Sequence, residues 1–483
     1  MKKVKKIIEN LKKKCLIDTS KTIILILILF AIFIGINILV QKLDLQDIDV
    51  TKNKLFTLSE SSINQIKNVS EELKIYLIGF EEGNSLEDLV KQYTKQNEKI
   101  KYEQIADIQD RVDLKSKYGI TDETQVIIME SGNKSKILTI DDLYTYDYTT
   151  YTQIDITEEK VTNAIVNLTI ATKPKIYFLT GHNEYGINTE MTMLKAYLEN
   201  EVNEIATLDL LVTNNVPEDI SLLVISSPQK DLLDTELEII TSYINNGGKI
   251  LWMNDPTFAG KKLPNFEKLS GLFGAKFEDG IILEQDINKM ALQSPNYIIP
   301  NIASTKATKD ILSDGGILLI NASKITIEED EKLNELNVDC EKILTTGDTA
   351  LFRKDATKTS TSKISSDEEG SFTIGAKLTK TIEDKAAIMY VLSNNFFVVD
   401  YPITVGNSKT YPIMFYNNKD YILNTIAELT NREDTISIRK DTGIITYTAT
   451  EAQDRIIKIV ISVFPAIIII IGIIIWFIRK RKK

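Results

Sequence analysis

The sequence predicts an α/β protein hung between two membrane anchors, and three observations carry that prediction. Between Lys175 and Asp255, short and nearly continuous apolar runs alternate with stretches of helical period. That is the pattern of a parallel sheet covered by helices on both faces. Two uncharged runs, 22–40 and 459–478, each approach the roughly 20 residues that a helix needs to cross ~30 Å of hydrocarbon. Lysine and arginine flank both runs on their terminal sides, so the positive-inside rule places both termini in the cytoplasm and residues 41–455 beyond the bilayer.

Charge and cysteine usage narrow the function classes. With 483 residues the chain exceeds one ordinary core, and two or more domains are expected. The net charge of −11 hides an asymmetry: residues 1–21 hold eight lysines against Glu9 and Asp18, and residues 479–483 are all basic. An acidic body between basic ends argues against nucleic acid as a partner and for anionic membrane lipids at the tails. Cys15 and Cys340 fall on opposite sides of the first span, which leaves no intrachain disulfide and no cysteine-rich metal site. His182 is the single histidine, so neither a metal nor any other cofactor is expected.

The elements follow in order after the basic tail 1–21 and the span 22–40. In the domain 41–152, Thr57 and Glu60 have capping-box spacing for a helix reaching about Val69. Leu73–Ile78 reads as a strand, Leu86–Gln96 as a helix, Ile100–Ile105 as a strand, and Arg111–Tyr118 as a short helix. Strands near Gln125–Met129 and Lys136–Thr139 complete a β-α-β-α-β-β order, which resembles a thioredoxin-like domain. It lacks Cys-x-x-Cys, which excludes thiol exchange. Tyr144–Tyr151 is tyrosine-rich and suggests an interdomain cover, and a helix over 158–169 leads into the central domain, 153–435.

In that domain the strands are Ile176–Thr180, Leu222–Ile225 and Lys249–Asn254. A helix over 235–246 sets Leu237, Ile240, Tyr243 and Ile244 on one face. Thr235 and Glu238 have capping-box spacing at its start, and Gly247-Gly248 supply a left-handed stop. Further on, Asn265–Phe273 reads as a helix, with strands at Gly280–Leu283, Ile317–Ile320, Lys342–Leu344 and Ala387–Leu392. Residues 354–371 carry no apolar period and read as a mobile loop; Asp420–Leu429 is a helix. Ile436–Arg439 and Ile444–Tyr447 suggest a membrane-proximal hairpin (436–455) before the span 456–478 and the basic tail 479–483.

Ligands of an open parallel sheet sit beyond the carboxyl ends of its strands. Those ends here are Gly181-His182-Asn183-Glu184, Ser226-Ser227-Pro228 and Asn254-Asp255-Pro256. Gly181, His182, Asn183, Glu184, Ser226, Ser227, Asn254 and Asp255 are therefore the candidate ligand- or partner-binding residues. The bland alternative is a loop whose imidazole and carboxylate tie down neighbouring backbone groups. A serine nucleophile at Ser226 would need His182 as its base, and no Gly-x-Ser-x-Gly elbow surrounds it. No Walker-type phosphate loop and no Gly-x-Gly-x-x-Gly is present.

Four segments together resemble the GldG-like auxiliary component of gliding-motility-type ABC transporters. They are Asp49-x-Thr51-x-x-Lys54-x-Phe56-Thr57-Leu58-Ser59, Thr180-Gly181-His182-Asn183-Glu184, Tyr243-Ile244-x-x-Gly247-Gly248-Lys249-Ile250-Leu251, and Ile436-Ser437-Ile438-Arg439 ahead of the last span. The resemblance implies a central domain similar to glutamine-amidotransferase-like folds, and partnership with an ABC-2-type permease and a separate ATPase. It implies no catalytic residue. The expectation is therefore a non-catalytic, membrane-anchored transporter subunit. An extracytoplasmic ligand- or glycan-binding sensor is the alternative, and a cryptic hydrolase comes third.

Overall fold

The computed structural model describes residues 57–432 apart from 122–124, 148–151, 171, 257–261, 309–310, 312–315, 356–359 and 406–407, together with 27–28, 30–32 and 34–35. Two units separate, Met1–Phe56 and Thr57–Lys483. In the first, the described residues between 27 and 35 are helical. Most of the expected 22–40 span, the 436–455 hairpin, the 456–478 span and both basic tails lie outside the described residues. Among the described residues no helix is long and apolar enough to cross a membrane.

The second unit begins with helix α1 (Glu60–Lys67). Its cap is Ser59, whose hydroxyl accepts the Ser62 N–H, and not Thr57 as the spacing suggested. The reciprocal half of a capping box comes from far away in sequence: Glu158 Oε1 accepts the Ser59 N–H at 2.6 Å and the Ser62 hydroxyl at 2.7 Å. Strand β1 (Leu73–Ile78), helix α2 (Ser85–Gln96), strand β2 (Ile100–Ile105), helix α3 (Val112–Tyr118), strand β3 (Val126–Ser131) and strand β4 (Lys134–Thr139) follow. They form a four-stranded sheet in the order β2-β1-β3-β4, with β1 parallel to β2 and antiparallel to β3. The tyrosine-rich stretch contributes β5 (Tyr144–Asp147), which pairs with β6 (Thr152–Asp155) as a separate ribbon.

Helix α4 (Thr157–Thr169) was expected to introduce the central domain, yet it packs on the first sheet. Val161, Ala164, Ile165 and Leu168 share a core with Leu73, Ile75, Leu77, Ile127 and Met129. Its other side reaches forward. Glu159 accepts from Asn200 Nδ2 at 3.1 Å, and Lys160 Nζ donates to Asn200 Oδ1 at 2.9 Å.

The central sheet is built from β7 (Lys175–Thr180), helix α5 (Thr192–Asn200), β8 (Glu204–Asp209), β9 (Ile220–Ser226), helix α6 (Asp234–Asn245), β10 (Lys249–Met253) and helix α7 (Pro264–Gly271). Later strands β11 (Asn301–Ile302), β12 (Val338–Thr345), β13 (Thr373–Ile382) and β14 (Lys385–Leu392), with helix α8 (Asn418–Leu429), complete it. The eight strands run β11-β12-β13-β14-β10-β9-β7-β8. From β14 to β8 neighbours are parallel, whereas β13, β12 and β11 continue the sheet antiparallel, so the expected parallel sheet is a mixed one.

Alternation along the parallel strands explains their continuous apolar runs. Ile176, Phe178, Leu222, Val224, Leu251 and Met253 face the layer formed by α5 and α8. Leu179, Leu223, Ile225, Ile250 and Trp252 face α6 and α7. Both faces are dry, so both sets of positions must be apolar. Helix α6 is capped two residues before the Thr235/Glu238 expectation: it starts after Leu233, and Glu236 Oε2 accepts the Leu233 N–H at 2.8 Å. At its end Gly247 takes φ +84°, a left-handed residue that closes the helix. Gly248 is glycine for another reason, since a Cβ there would meet the Tyr243 ring at 2.5 Å.

The polar stretch after β12 is pinned down. Arg353 and Asp367 form a two-pronged pair, Nε to Oδ1 at 2.9 Å and Nη2 to Oδ2 at 2.6 Å, with side chains 1% and 0% exposed. Arg353 also donates to the Ser360 and Ser362 carbonyls, while Glu368 and Glu369 pair as a short strand with Phe352 and Leu351. Removing one partner of a buried pair strands the other charge at a cost of about 3–5 kcal/mol. Asp367→Ala is expected to lower the unfolding free energy of the purified chain in urea by about that amount. The double change Arg353→Met with Asp367→Ala should recover most of it.

Candidate functional site

The parallel strands run β8-β7-β9-β10-β14, so the chain crosses from one side of β7 to the other between β8 and β9. A reversal of this kind opens a crevice at the carboxyl ends of β7 and β9, where α/β sheets hold their ligands. Gly181-His182-Asn183-Glu184 and Ser226-Ser227 lie at that point. Gly181 at φ +116° and Asn183 at φ +59° make the turn, and both are exposed. Left-handed backbone favours glycine first and asparagine next, which accounts for both residue types.

Between these two exposed residues the His182 ring turns inward and is 4% exposed. Its Nδ1 meets Glu184 Oε1 at 3.0 Å and its Nε2 meets Glu236 Oε2 at 3.1 Å. Both carboxylates are buried, and each also accepts a backbone N–H, Glu184 from His182 and Glu236 from Leu233, both at 2.8 Å. The imidazole and the Phe266 ring stand nearly perpendicular, their centroids 5.8 Å apart. Burial works against the imidazolium, but Glu184 and then Glu236 outweigh it and hold the pKa above the ordinary histidine value. With a carboxylate on each nitrogen, His182 ties the end of β7 to the start of α6. Neither nitrogen is left to serve Ser226 as a base.

The remaining candidate residues are drawn together chiefly through backbone contacts. The His182 carbonyl accepts the Gln229 and Lys230 N–H groups at 2.7 and 3.0 Å, fastening the first loop to the second. The Tyr185 N–H donates to the Ser226 carbonyl at 3.1 Å. Ser227, at φ +49°, donates its N–H to the Met253 carbonyl at 2.8 Å and accepts the Asp255 N–H on its hydroxyl at 2.6 Å. The Asn254 N–H extends the β10–β14 pairing to the Leu392 carbonyl at 2.9 Å. Asp255 Oδ1 then accepts the Asn395 and Phe396 N–H groups at 2.6 and 2.9 Å. Burial lifts the Asp255 pKa, with these two donors and the Tyr185 hydroxyl pulling the other way. Burial and then the neighbouring Asp255 raise Tyr185.

Among the described residues six buried side-chain polar atoms lack a hydrogen-bond partner; Gln65 Oε1 and Gln104 Oε1 lie around the first sheet, and the Ser226 hydroxyl, Glu236 Oε1, Trp252 Nε1 and Asn395 Oδ1 belong to the carboxyl-end region of the central sheet. No group of three His, Cys, Asp or Glu there or elsewhere among those residues could hold a metal ion. His182 shows why: its two carboxylates sit on opposite ring nitrogens and do not converge on one point. Glu236, Tyr185 and Asn395 were absent from the sequence-based set. The first had a usable signal, because a glutamate three residues into a helix is placed to reach back toward its start.

Residues 173–284, which carry β7 to β10 and the loops at their ends, match the ABC transport auxiliary family, described as an ABC-type uncharacterized transport system. No curated protein matches the chain significantly. Of the solved structures, the mmIFT52 N-terminal domain is similar at 14% identity and TM-score 0.39, over 53% of this chain and 97% of that one. Exo-beta-1,4-mannosidase Op5Man5 from Opitutaceae bacterium strain TAV5 is similar at 10% identity and TM-score 0.27, over 59% of this chain and 40% of that one.

A histidine whose pKa is raised on folding stabilises the native state fully below its unfolded pKa, and the contribution fades as pH climbs through the folded value. Because His182 is the only histidine, its ring protons give an isolated NMR signal. The titration midpoint of that signal is expected above the ordinary ~6.5. The urea midpoint should fall as pH rises through it. His182→Gln should remove that pH dependence, and Glu236→Gln should bring the NMR midpoint down.

Proposed function

We propose that this chain, with an ABC-type transport auxiliary domain at 173–284, is a non-catalytic subunit of an ABC transport system, anchored by its two ends and carrying its acidic body outside the membrane. The family match is the observation that carries the reading. The sequence adds two uncharged spans with basic outer flanks and no phosphate loop, so ATP hydrolysis would fall to a separate ATPase and passage to a permease. Membrane lipids would meet the basic tails.

The strand order of the first sheet supports reading it as thioredoxin-like, and the order of the five parallel strands supports an amidotransferase-like centre in a GldG-like auxiliary component. The strand-end loop fits a contact role better than a reaction. Gly181 and Asn183 present themselves to solvent, while His182 and Glu184 are consumed in holding the loop's shape. A partner subunit that docks there would meet a pre-shaped turn and pay little ordering entropy.

Solubilising membranes in mild detergent and isolating this chain should recover an ATPase and a multispan permease with it. Isolation with neither would overturn the transport reading. Protease added outside intact cells is expected to remove the acidic body. Its survival, with other surface proteins cleaved, would overturn the topology.

A further inference from the structure

A groove of about 790 Å³ opens at the amino-terminal edge of the central sheet, the edge away from His182. It lies between the chain entering β9, the second half of α6 with the turn into β10, and Thr430-Asn431 just beyond α8. Neither the strand-end loops nor the proposed transport role uses it. Its volume lies within the ~300–1,000 Å³ range of small-molecule sites.

The lining has two kinds of surface. Val216, Ile220 and Ile239 are half-buried and pack against the core beneath α6, so they form the inner wall. Asn215, Ser242, Asn246 and Asn431 are exposed and form the rim. Two asparagines have backbone reasons to be there, since Asn214 and Asn431 take φ +54° and +57°. Asn246 is spent on the Ser242 carbonyl and Lys385. Asn215 and Ser242 have no such explanation: among the described residues the Asn215 carboxamide and the Ser242 hydroxyl make no hydrogen bond. The wall beside them is stiff, because the Tyr243 hydroxyl both donates to the Lys249 carbonyl and accepts the Lys249 N–H, each at 2.9 Å.

Charge selects the ligand class. Glu218 and Lys249 bring one charge of each sign, and the Lys249 ammonium is already held by Asn431 Oδ1 at 2.7 Å. A site with no net charge gives an ionic ligand nothing to offset its desolvation. A carboxamide offers a donor and an acceptor in one plane, matching an acetamido group or a pair of vicinal hydroxyls. The apolar wall suits the acetamido methyl and the C–H face of a sugar ring. We propose that this groove binds a neutral oligosaccharide of N-acetylated hexosamine, with Asn215 and Ser242 as its rim contacts and Val216, Ile220 and Ile239 as its apolar wall.

The probe is tri-N-acetylchitotriose, titrated calorimetrically into the full chain in a detergent without a sugar headgroup, with maltotriose as the counterpart that lacks acetamido groups. Chitotriose is expected to bind, with maltotriose weaker by about tenfold or more. Ser242→Trp should fill the groove and abolish binding, and Asn215→Ala should weaken it several-fold. Both positions are exposed, so thermal unfolding of both variants should match the parent. Absence of chitotriose binding, equal binding of maltotriose, or binding that both variants leave unchanged would each overturn the assignment. None of these outcomes bears on the transport reading, which rests on recovery of partner subunits.

Discussion

A sheet buried on both faces has only its ends and its edges through which to meet water or a partner. In the central sheet this constraint is severe, because α5 and α8 close one face while α6 and α7 close the other. Every polar backbone group left over at the carboxyl ends of β7, β9 and β10 must find a partner in the loops themselves. The strand-end loops are accordingly stitched to one another: His182 to Gln229 and Lys230, Ser226 to Tyr185, Ser227 to Met253 and Asp255, and Asp255 to Asn395 and Phe396. The His182 ring between Glu184 and Glu236 adds a side-chain stitch to that set, fastening the end of β7 to the start of α6.

This arrangement changes what the candidate residues mean. Residue types that suggest acid–base work, a histidine flanked by glutamates near a serine, are here committed to shape. A general base needs a free nitrogen facing its substrate, and a carboxylate on each nitrogen removes that option. Asp255 is likewise occupied by two backbone donors, the Asn395 and Phe396 N–H groups. What the loops show to solvent is backbone at Gly181 and Asn183, which suits recognition by shape.

Much of the fold was legible because burial on both faces writes itself as unbroken apolar runs. β7, β9 and β10 were all placed from that signal, as was β1 in the first sheet. β8 was missed because it is an edge strand with only Leu208 fully buried, so Glu204–Asp209 shows no such run. β13 was missed for a different reason. Its core residues Ile374, Ala376 and Leu378 alternate with Gly375, Lys377 and Thr379, and that weaker signature marks an antiparallel strand. In the site, the strand-end residues were found from topology. Their use was not legible, because Glu236 and Asn395 reach His182 and Asp255 only through packing that joins distant parts of the chain. Capping failed in the same way at α1, where the acceptor for Ser59 is Glu158.

That last contact reaches beyond capping. Helix α4 follows the ribbon and precedes β7 in sequence, yet Val161, Ala164, Ile165 and Leu168 fill the first core while Glu158 holds the entry to α1. An excised fragment that opened at residue 153 would carry this helix away with its greasy side stripped bare and leave the preceding sheet without its lid. The seam for dividing the body into independently expressed halves therefore runs behind α4, in the few residues between Thr169 and Lys175.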